Sequence, residues 1–242
     1  MNILSLSKTN CYVLRSKEGT LLIDTGYSYD KKRFLSLCKK QGISCSDIDY
    51  VFLTHHHDDH CGLVNFLVEQ NPRIRVVMHG LCADLVAKGV NATEYGGKWA
   101  SPTMKVLAGM YGKLDRNWTL SFPAYQVREI DILLDFPTPS ISRLGYTIIF
   151  TPGHTPDSIS LLDDEGNLFV GDAASNYLQF AQTRYAPPFL TDLKQFYLSW
   201  ETLLTFPVHR IYPAHGKSFA PGALRKNLNA LKEEHLPLYI IK

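Results

Sequence analysis

Residues 54–62 read Thr-His-His-His-Asp-Asp-His-Cys-Gly and follow directly on the apolar run Tyr50–Leu53. Within them His55, His57, Asp59 and His60 form the pattern H-x-H-x-D-H. On a loop leaving a buried strand, residues two apart can point to the same side, so His55 and His57 can share one ion. Asp59 and His60 turn the next corner and can serve a neighbouring ion. Imidazole and carboxylate donors suit zinc, iron or manganese. A stretch this dense in histidine can also bind metal incidentally, as a tag does. Its strand–loop–helix setting favours a built site instead.

Three distant residues recur in the same kind of setting. His154, Asp172 and His215 each follow a short β-prone run, and each has a glycine beside it: Gly153, Gly171 and Gly216. Strand ends on one edge of a sheet can converge on one cleft, and glycine allows tight turns close to an ion. His79, His209 and His235 lack this company and are assigned to structure or surface. Cys61 reads as a small packing residue. His56 and Asp58 alternate with the ligands and either point away or support them.

The rest of the chain is read for what would carry these residues. Cys11–Leu14 and Thr20–Ile23 are strand-like runs around the turn Ser16–Gly19. Asp30–Gln41 reads as a helix, with Gly42 placed to cap its end. Leu63–Val68 is helical, and Arg73–Met78 is a further strand. Tyr146–Phe150, Ser158–Leu162, Leu168–Val170 and Arg210–Tyr212 are strands of a second half. Thr191 is placed to cap a helix running to about Leu204, and Pro221–Glu234 reads as a closing helix. Between the halves, the stretch 81–136 holds helix candidates at Ala83–Lys88 and Met104–Gly112. It also holds Tyr95, Trp99, Tyr111 and Trp118, which form either a substrate wall or the core of the stretch itself. It is too long for a plain connection, so it reads as an insertion lining or covering the site of a single domain, 1–242. Two β-rich halves with helices fit an α/β chain arranged as a four-layer αββα sandwich, though the pattern alone also allows another α/β arrangement.

Composition narrows the partners. The 242 residues are 45% hydrophobic, enough for a sizeable core, and the net charge of +2 leaves no basic footprint for nucleic acid. Five cysteines, an odd number with no C-x-x-C pair, argue against a disulfide framework and a cysteine-based zinc site. The first residues lack a signal-peptide pattern and no run approaches a membrane span, so a cytoplasmic protein without membrane contact is expected.

Taken in order, Asp24-Thr25-Gly26, His55–His60, Thr151-Pro152-Gly153-His154-Thr155, Gly171-Asp172 and Pro213-Ala214-His215-Gly216 resemble the metallo-β-lactamase fold superfamily over roughly residues 10–220. The resemblance implies a metal-dependent hydrolase, with zinc the expected metal, in which His55, His57 and His154 hold one ion and Asp59, His60 and His215 a second. Asp172 would bridge them together with a hydroxide, and Asp24 would orient ligands. Iron or manganese would also suit these donors. Asp59 would orient the nucleophile and pass a proton to the leaving group. Two divalent ions set against Asp59, Asp172 and a hydroxide leave a net positive site, which favours an anionic or polarised small substrate. Some lactonase relatives place a tyrosine near their bridging Asp, so Tyr177 is a candidate substrate contact, at an offset that does not match closely.

The leading reading is hydrolysis of a small ester, thioester or lactone, in the manner of the superfamily's hydroxyacylglutathione hydrolases and acyl-homoserine lactonases, which the chain resembles. A phosphodiesterase or nuclease is the alternative within hydrolases, although the chain has no basic stripe. β-Lactamase activity is disfavoured because those enzymes lack the bridging carboxylate. A persulfide dioxygenase-like oxidoreductase with one iron is the alternative from another class. A binding protein without turnover is a third, against which the complete ligand set argues.

Overall fold

The computed structural model describes residues 1–92, 94–114 and 120–233. Trp118 and His235 lie outside them, as do Glu234 at the end of the expected closing helix and the Tyr111 side chain. The strands in chain order are β1 (Asn2–Ser5), β2 (Asn10–Ser16), β3 (Gly19–Ile23), β4 (Tyr50–Phe52), β5 (Arg75–His79), β6 (Lys98–Trp99), β7 (Ile132–Leu134), β8 (Ser140–Arg143), β9 (Tyr146–Phe150), β10 (Ile159–Leu162), β11 (Asn167–Gly171), β12 (Phe189–Leu190) and β13 (Arg210–Pro213). The helices are α1 (Lys31–Lys40), α2 (Asp58–Cys61), α3 (Val64–Gln70), α4 (Gly80–Lys88), α5 (Pro102–Leu114), α6 (Leu193–Leu203) and α7 (Gly222–Glu233). The chain is thus mixed α/β with separate sheets, as the sequence leads one to expect.

Two compact units divide it. The first comprises Met1–Ala92, Leu120–Pro137 and Ser142–Gly145. Its six-stranded sheet runs β1-β2-β3-β4-β5-β7. The first three strands form an antiparallel meander, and β3, β4, β5 and β7 are mutually parallel. Ile23 pairs with Phe52 and Phe52 with Val77, so β3 and β4 end level. The residues that follow them, Asp24 and Leu53-Thr54-His55, therefore leave from one edge of the sheet, where ligands of parallel sheets collect. Helix α1 buries Phe34 and Cys38, one turn apart, against Leu22, Val51 and Leu53. It stops where the sequence indicates. Gly42 sits at φ +65°, its N–H reaches the Lys39 carbonyl, and the Ile43 N–H reaches that of Cys38, the paired bonds of a Schellman cap.

The strands β1 and β7 went unread in the sequence. Asn2–Ser5 is short and mostly exposed at the sheet edge, and Ile132–Leu134 gains its place by pairing with β5. The link that positions β7 is Asp131. Its carboxylate accepts from the backbone N–H groups of Val76 (3.0 Å) and Arg128 (2.8 Å), from Arg128 Nη2 (2.7 Å) and from Tyr125 Oη (2.7 Å). Burial by itself would raise this carboxyl, but Arg128 and Tyr125 outweigh burial and hold it below the ordinary carboxylate range. A depressed folded-state value stabilises the fold above the unfolded carboxylate value and fades as pH falls through the folded one. Asp131→Asn should therefore cost about 2 kcal/mol at neutral pH. The gap to the unmutated chain should shrink below about pH 4, and urea unfolding at the two pH values checks it.

The second unit comprises Thr93–Thr119, Thr138–Ile141 and Tyr146–Lys242. Its main sheet runs β13-β11-β10-β9-β8. Strand β10 is antiparallel to β9 and β11, while β11 and β13 are parallel. That arrangement puts the ends of β9, β11 and β13 on one edge, and His154, Asp172 and His215 follow those three ends. Helix α6 seals the sheet with Phe196, Trp200 and Leu203, all fully buried, over Ile149, Leu168 and Val170. The helix is capped by Asp192, whose Oδ1 accepts from Gln195 N at 2.9 Å, and not by Thr191 as expected. Thr191 instead donates Oγ1 to the Gly153 carbonyl at 3.1 Å, so its hydroxyl is committed to the His154 loop.

The stretch 81–136 contributes to both units: 81–92 and 120–136 belong to the first, 94–114 to the second. Its helices form over α4 and α5. No helix among the described residues is long and apolar enough to cross a membrane.

Candidate metal centre

In the first unit the site begins at Asp24. The residue sits at φ +56°, a left-handed conformation that aspartate tolerates better than most. Its Oδ1 accepts from the Thr54 N–H at 2.9 Å, Thr54 Oγ1 donates to its carboxylate, and its Oδ2 lies 2.8 Å from His60 Nδ1. A carboxylate only accepts, so Nδ1 of His60 must carry the proton and Nε2 the lone pair, the form that binds a metal. Thr54 Oγ1 also stands 3.1 Å from His55 Nδ1. One threonine thus touches the rings of two candidate ligands and the carboxylate that orients them.

The four donors of the motif gather here. The His55 ring centroid lies 4.6 Å from that of His57 and 4.0 Å from that of His60, and Asp59 Oδ1 lies 3.6 Å from His60 Nε2. His56 turns elsewhere: its Nε2 accepts the Ala92 N–H at 3.2 Å. Asp58 turns the same way and exchanges two hydrogen bonds with Asn91, each 2.9 Å. Burial, with Asp59 beside it, raises the Asp58 carboxyl above its ordinary range. Cys61 is buried and donates Sγ to the His56 carbonyl, so it packs as expected.

In the second unit, Asp172 stands between two imidazoles. Its Oδ2 is 3.4 Å from His154 Nε2 and its Oδ1 is 3.3 Å from His215 Nε2. Two donors sharing one tetrahedral ion at about 2.1 Å each sit roughly 3.4 Å apart. The spacings therefore match the edge of a coordination shell, with one carboxylate oxygen per imidazole. His154 Nδ1 donates to the Phe189 carbonyl at 2.8 Å, which again leaves the lone pair on Nε2. Gly153 makes this loop possible. It has φ +132°, and a Cβ there would collide with the backbone of Phe196 at the start of α6. The turn after Asp172 is held by Trp200, whose Nε1 donates to the Ala173 carbonyl at 2.6 Å.

All seven sequence-chosen ligands belong to groups of side chains that could hold a metal ion. Tyr177 is half exposed at 54%. His79 caps α4 by accepting the Leu81 N–H and stacks on Phe136, and His209 meets the Glu165 carbonyl, so both have structural partners. No disulfide joins the five cysteines. Sequence reasoning missed Thr54, Asn91, Thr9 (whose Oγ1 donates to Asp59 Oδ2 at 3.3 Å) and the Phe189 carbonyl. Thr54 had a signal in its place between strand and first histidine; the others had none. Asp24→Ala should weaken metal binding about 10–100-fold while leaving a folded chain, because it frees the His60 ring to turn. Competition with a chromogenic chelator measures this.

The family model described as the metallo-beta-lactamase superfamily matches residues 5–215. A metallo-beta-lactamase fold-containing protein of Sulfurisphaera tokodaii is 27% identical over 227 residues, covering 92% of this chain and 79% of its own. A beta-lactamase-like protein 2 homolog of Drosophila melanogaster is 25% identical over 88% of this chain, which spans only 60% of that relative. Among solved structures, a protein crystallised in a di-iron-bound form aligns with TM-score 0.62 and 24% identity, over 93% of this chain and 96% of that one. At that identity the likeness speaks for the fold.

Proposed function

The chain belongs to the metallo-beta-lactamase superfamily, and from that premise we propose a hydrolase that uses two divalent ions, zinc foremost, to cleave a small ester, thioester or lactone. In this reading His55, His57 and His154 would hold one ion, Asp59, His60 and His215 the other, and Asp172 would contribute to both. The observation that carries it is Asp172, with one oxygen 3.4 Å from His154 Nε2 and the other 3.3 Å from His215 Nε2. A carboxylate shared in that way fits a pair of ions better than one.

When bound, such ions supply Lewis acidity, polarising the substrate's oxygen and yielding a hydroxide nucleophile near neutral pH. The chain's own residues do the rest. Asp24 and the Phe189 carbonyl fix the tautomers and planes of His60 and His154. Asp59, held at Oδ2 by Thr9, orients the attacking water and carries its proton towards the leaving group. With two divalent ions bound, the site would keep net positive charge, which would favour carbonyl substrates that bear negative charge.

Dialysis against dipicolinate should cut ester and thioester hydrolysis at least about twentyfold, and zinc should restore it. Metal analysis of the purified protein should give two ions per chain. Activity that survives complete metal removal would overturn the reading. The di-iron form of the structural neighbour favours iron as the second metal to test. One iron per chain with oxygen uptake would point to the dioxygenase class instead.

A further inference from the structure

The turn between β1 and β2 carries a cation that the proposed chemistry does not use. The Leu6 N–H donates to the Thr9 carbonyl at 2.9 Å and closes the turn, with Lys8 exposed upon it. Both neighbours of Lys8 are pinned. Ser7 gives its N–H (3.2 Å) and its Oγ (2.9 Å) to the carboxylate of buried Asp30. Thr9, itself buried, gives Oγ1 to Asp59, one of the candidate ligands. The ammonium of Lys8 lies 5.6 Å from the centre of the Tyr27 ring, and Tyr27 stacks on Tyr29 at 4.7 Å with an interplanar angle of 11°.

The tyrosine side of this pair is tied to the same place. The Thr25 N–H and Oγ1 both reach the His60 carbonyl, at 2.7 and 2.9 Å. A Cβ on Gly62 would meet Ser28 N and, at 2.7 Å, Gly26 O, so residues 25–28 lie directly against the helix that bears Asp59 and His60. Two segments that each touch the ligand helix therefore bring together one ammonium and two stacked phenol rings.

We infer that Lys8, Tyr27 and Tyr29 form a substrate-binding wall that selects esters or thioesters carrying an anionic, planar group beyond the scissile bond. The inference rests on the hydrolase reading and deepens it. Lys8 already lies over a ring between two fixed neighbours, so an arriving anion orders it at less entropic cost than a loose lysine. A planar group can extend the Tyr27–Tyr29 stack by an offset or edge contact. Ordinary packing of an exposed loop would give neither selectivity.

Three nitrophenyl or phenyl esters test it: a neutral butyrate, a hemiglutarate with its charge in the acyl half, and a carboxyphenyl butyrate with its charge in the leaving half. Relative to the neutral ester, Lys8→Ala should lower kcat/KM on an anionic ester about fivefold, through KM, and about 0.5 M salt should erase the gap. Lys8→Arg should keep most of the preference. Tyr29→Ala should weaken the carboxyphenyl ester more than the hemiglutarate. Equal effects on all three esters, or no effect, would overturn the wall. If the unmutated protein cleaves none of them, the hydrolase reading fails separately, and the wall is judged by binding. Benzoate should then lose about fivefold in affinity relative to benzamide on Lys8→Ala, read by tyrosine fluorescence; an unchanged ratio refutes it.

Discussion

Asp172→Ala is expected to lower turnover on the order of a thousandfold and to leave the protein short of metal. In the second unit this side chain faces both imidazoles, at 3.4 and 3.3 Å. Removing it takes a carboxylate from between two imidazoles and would take one donor from each ion in the proposed site. A thousandfold loss corresponds to about 4 kcal/mol of transition-state stabilisation, a reasonable share for a shared first ligand. Asp172→Asn separates the two roles. It keeps the shape and one acceptor oxygen but loses the charge, so it should hold more metal than the alanine variant while remaining slow. The fold has its own control. Trp200 donates to the carbonyl of Ala173, the next residue, so its near-ultraviolet signal reports whether the loop has moved. An alanine variant with normal metal content and normal rate would remove the ground for a two-ion site.

How much of this was legible beforehand follows physical lines. The candidate ligands stand out in the sequence because each is an unusual residue soon after an apolar run, three of them with glycine beside them. Those three are His154, Asp172 and His215, and within each unit the sheet puts the strand ends that precede the candidates on one edge. Helix α1 was readable because its apolar positions and the glycine at its end agree. The cap of α6 was misread by one residue because Thr191 and Asp192 have equal local claims. Only the Gly153 carbonyl, 38 residues away, decides which of them faces the helix. The supporting partners were hidden for the same reason. Asn91 gives Asp58 its hydrogen bonds across 33 positions, and Thr9 reaches Asp59 across 50. Nothing in local spacing marks such pairs. The edge strand β1 shows little alternation of its own and is defined by its pairing with β2.

Gly62→Ala should destabilise the fold by about 3 kcal/mol or more and lower the melting temperature by about 10 °C. The cause is space and not conformation. Gly62 has φ −61° and ψ −23°, ordinary helical values that alanine adopts readily. Yet an added Cβ would strike three backbone atoms: Ser28 N, Asp58 O at 2.6 Å and Gly26 O at 2.7 Å. Backbone cannot step aside as a flexible side chain does, so α2 would have to shift away from residues 25–28 and take His60 with it. Metal affinity should therefore fall along with stability. Gly42→Ala is the matched contrast. Nothing lies within 4 Å of its Cβ position, but φ is +65°, so only local strain of about 1 kcal/mol is expected. Its melting point should drop by roughly 3 °C, with metal binding intact. Equal losses in the two variants would mean that the close packing of α2 against 25–28 does not hold the ligand helix in register.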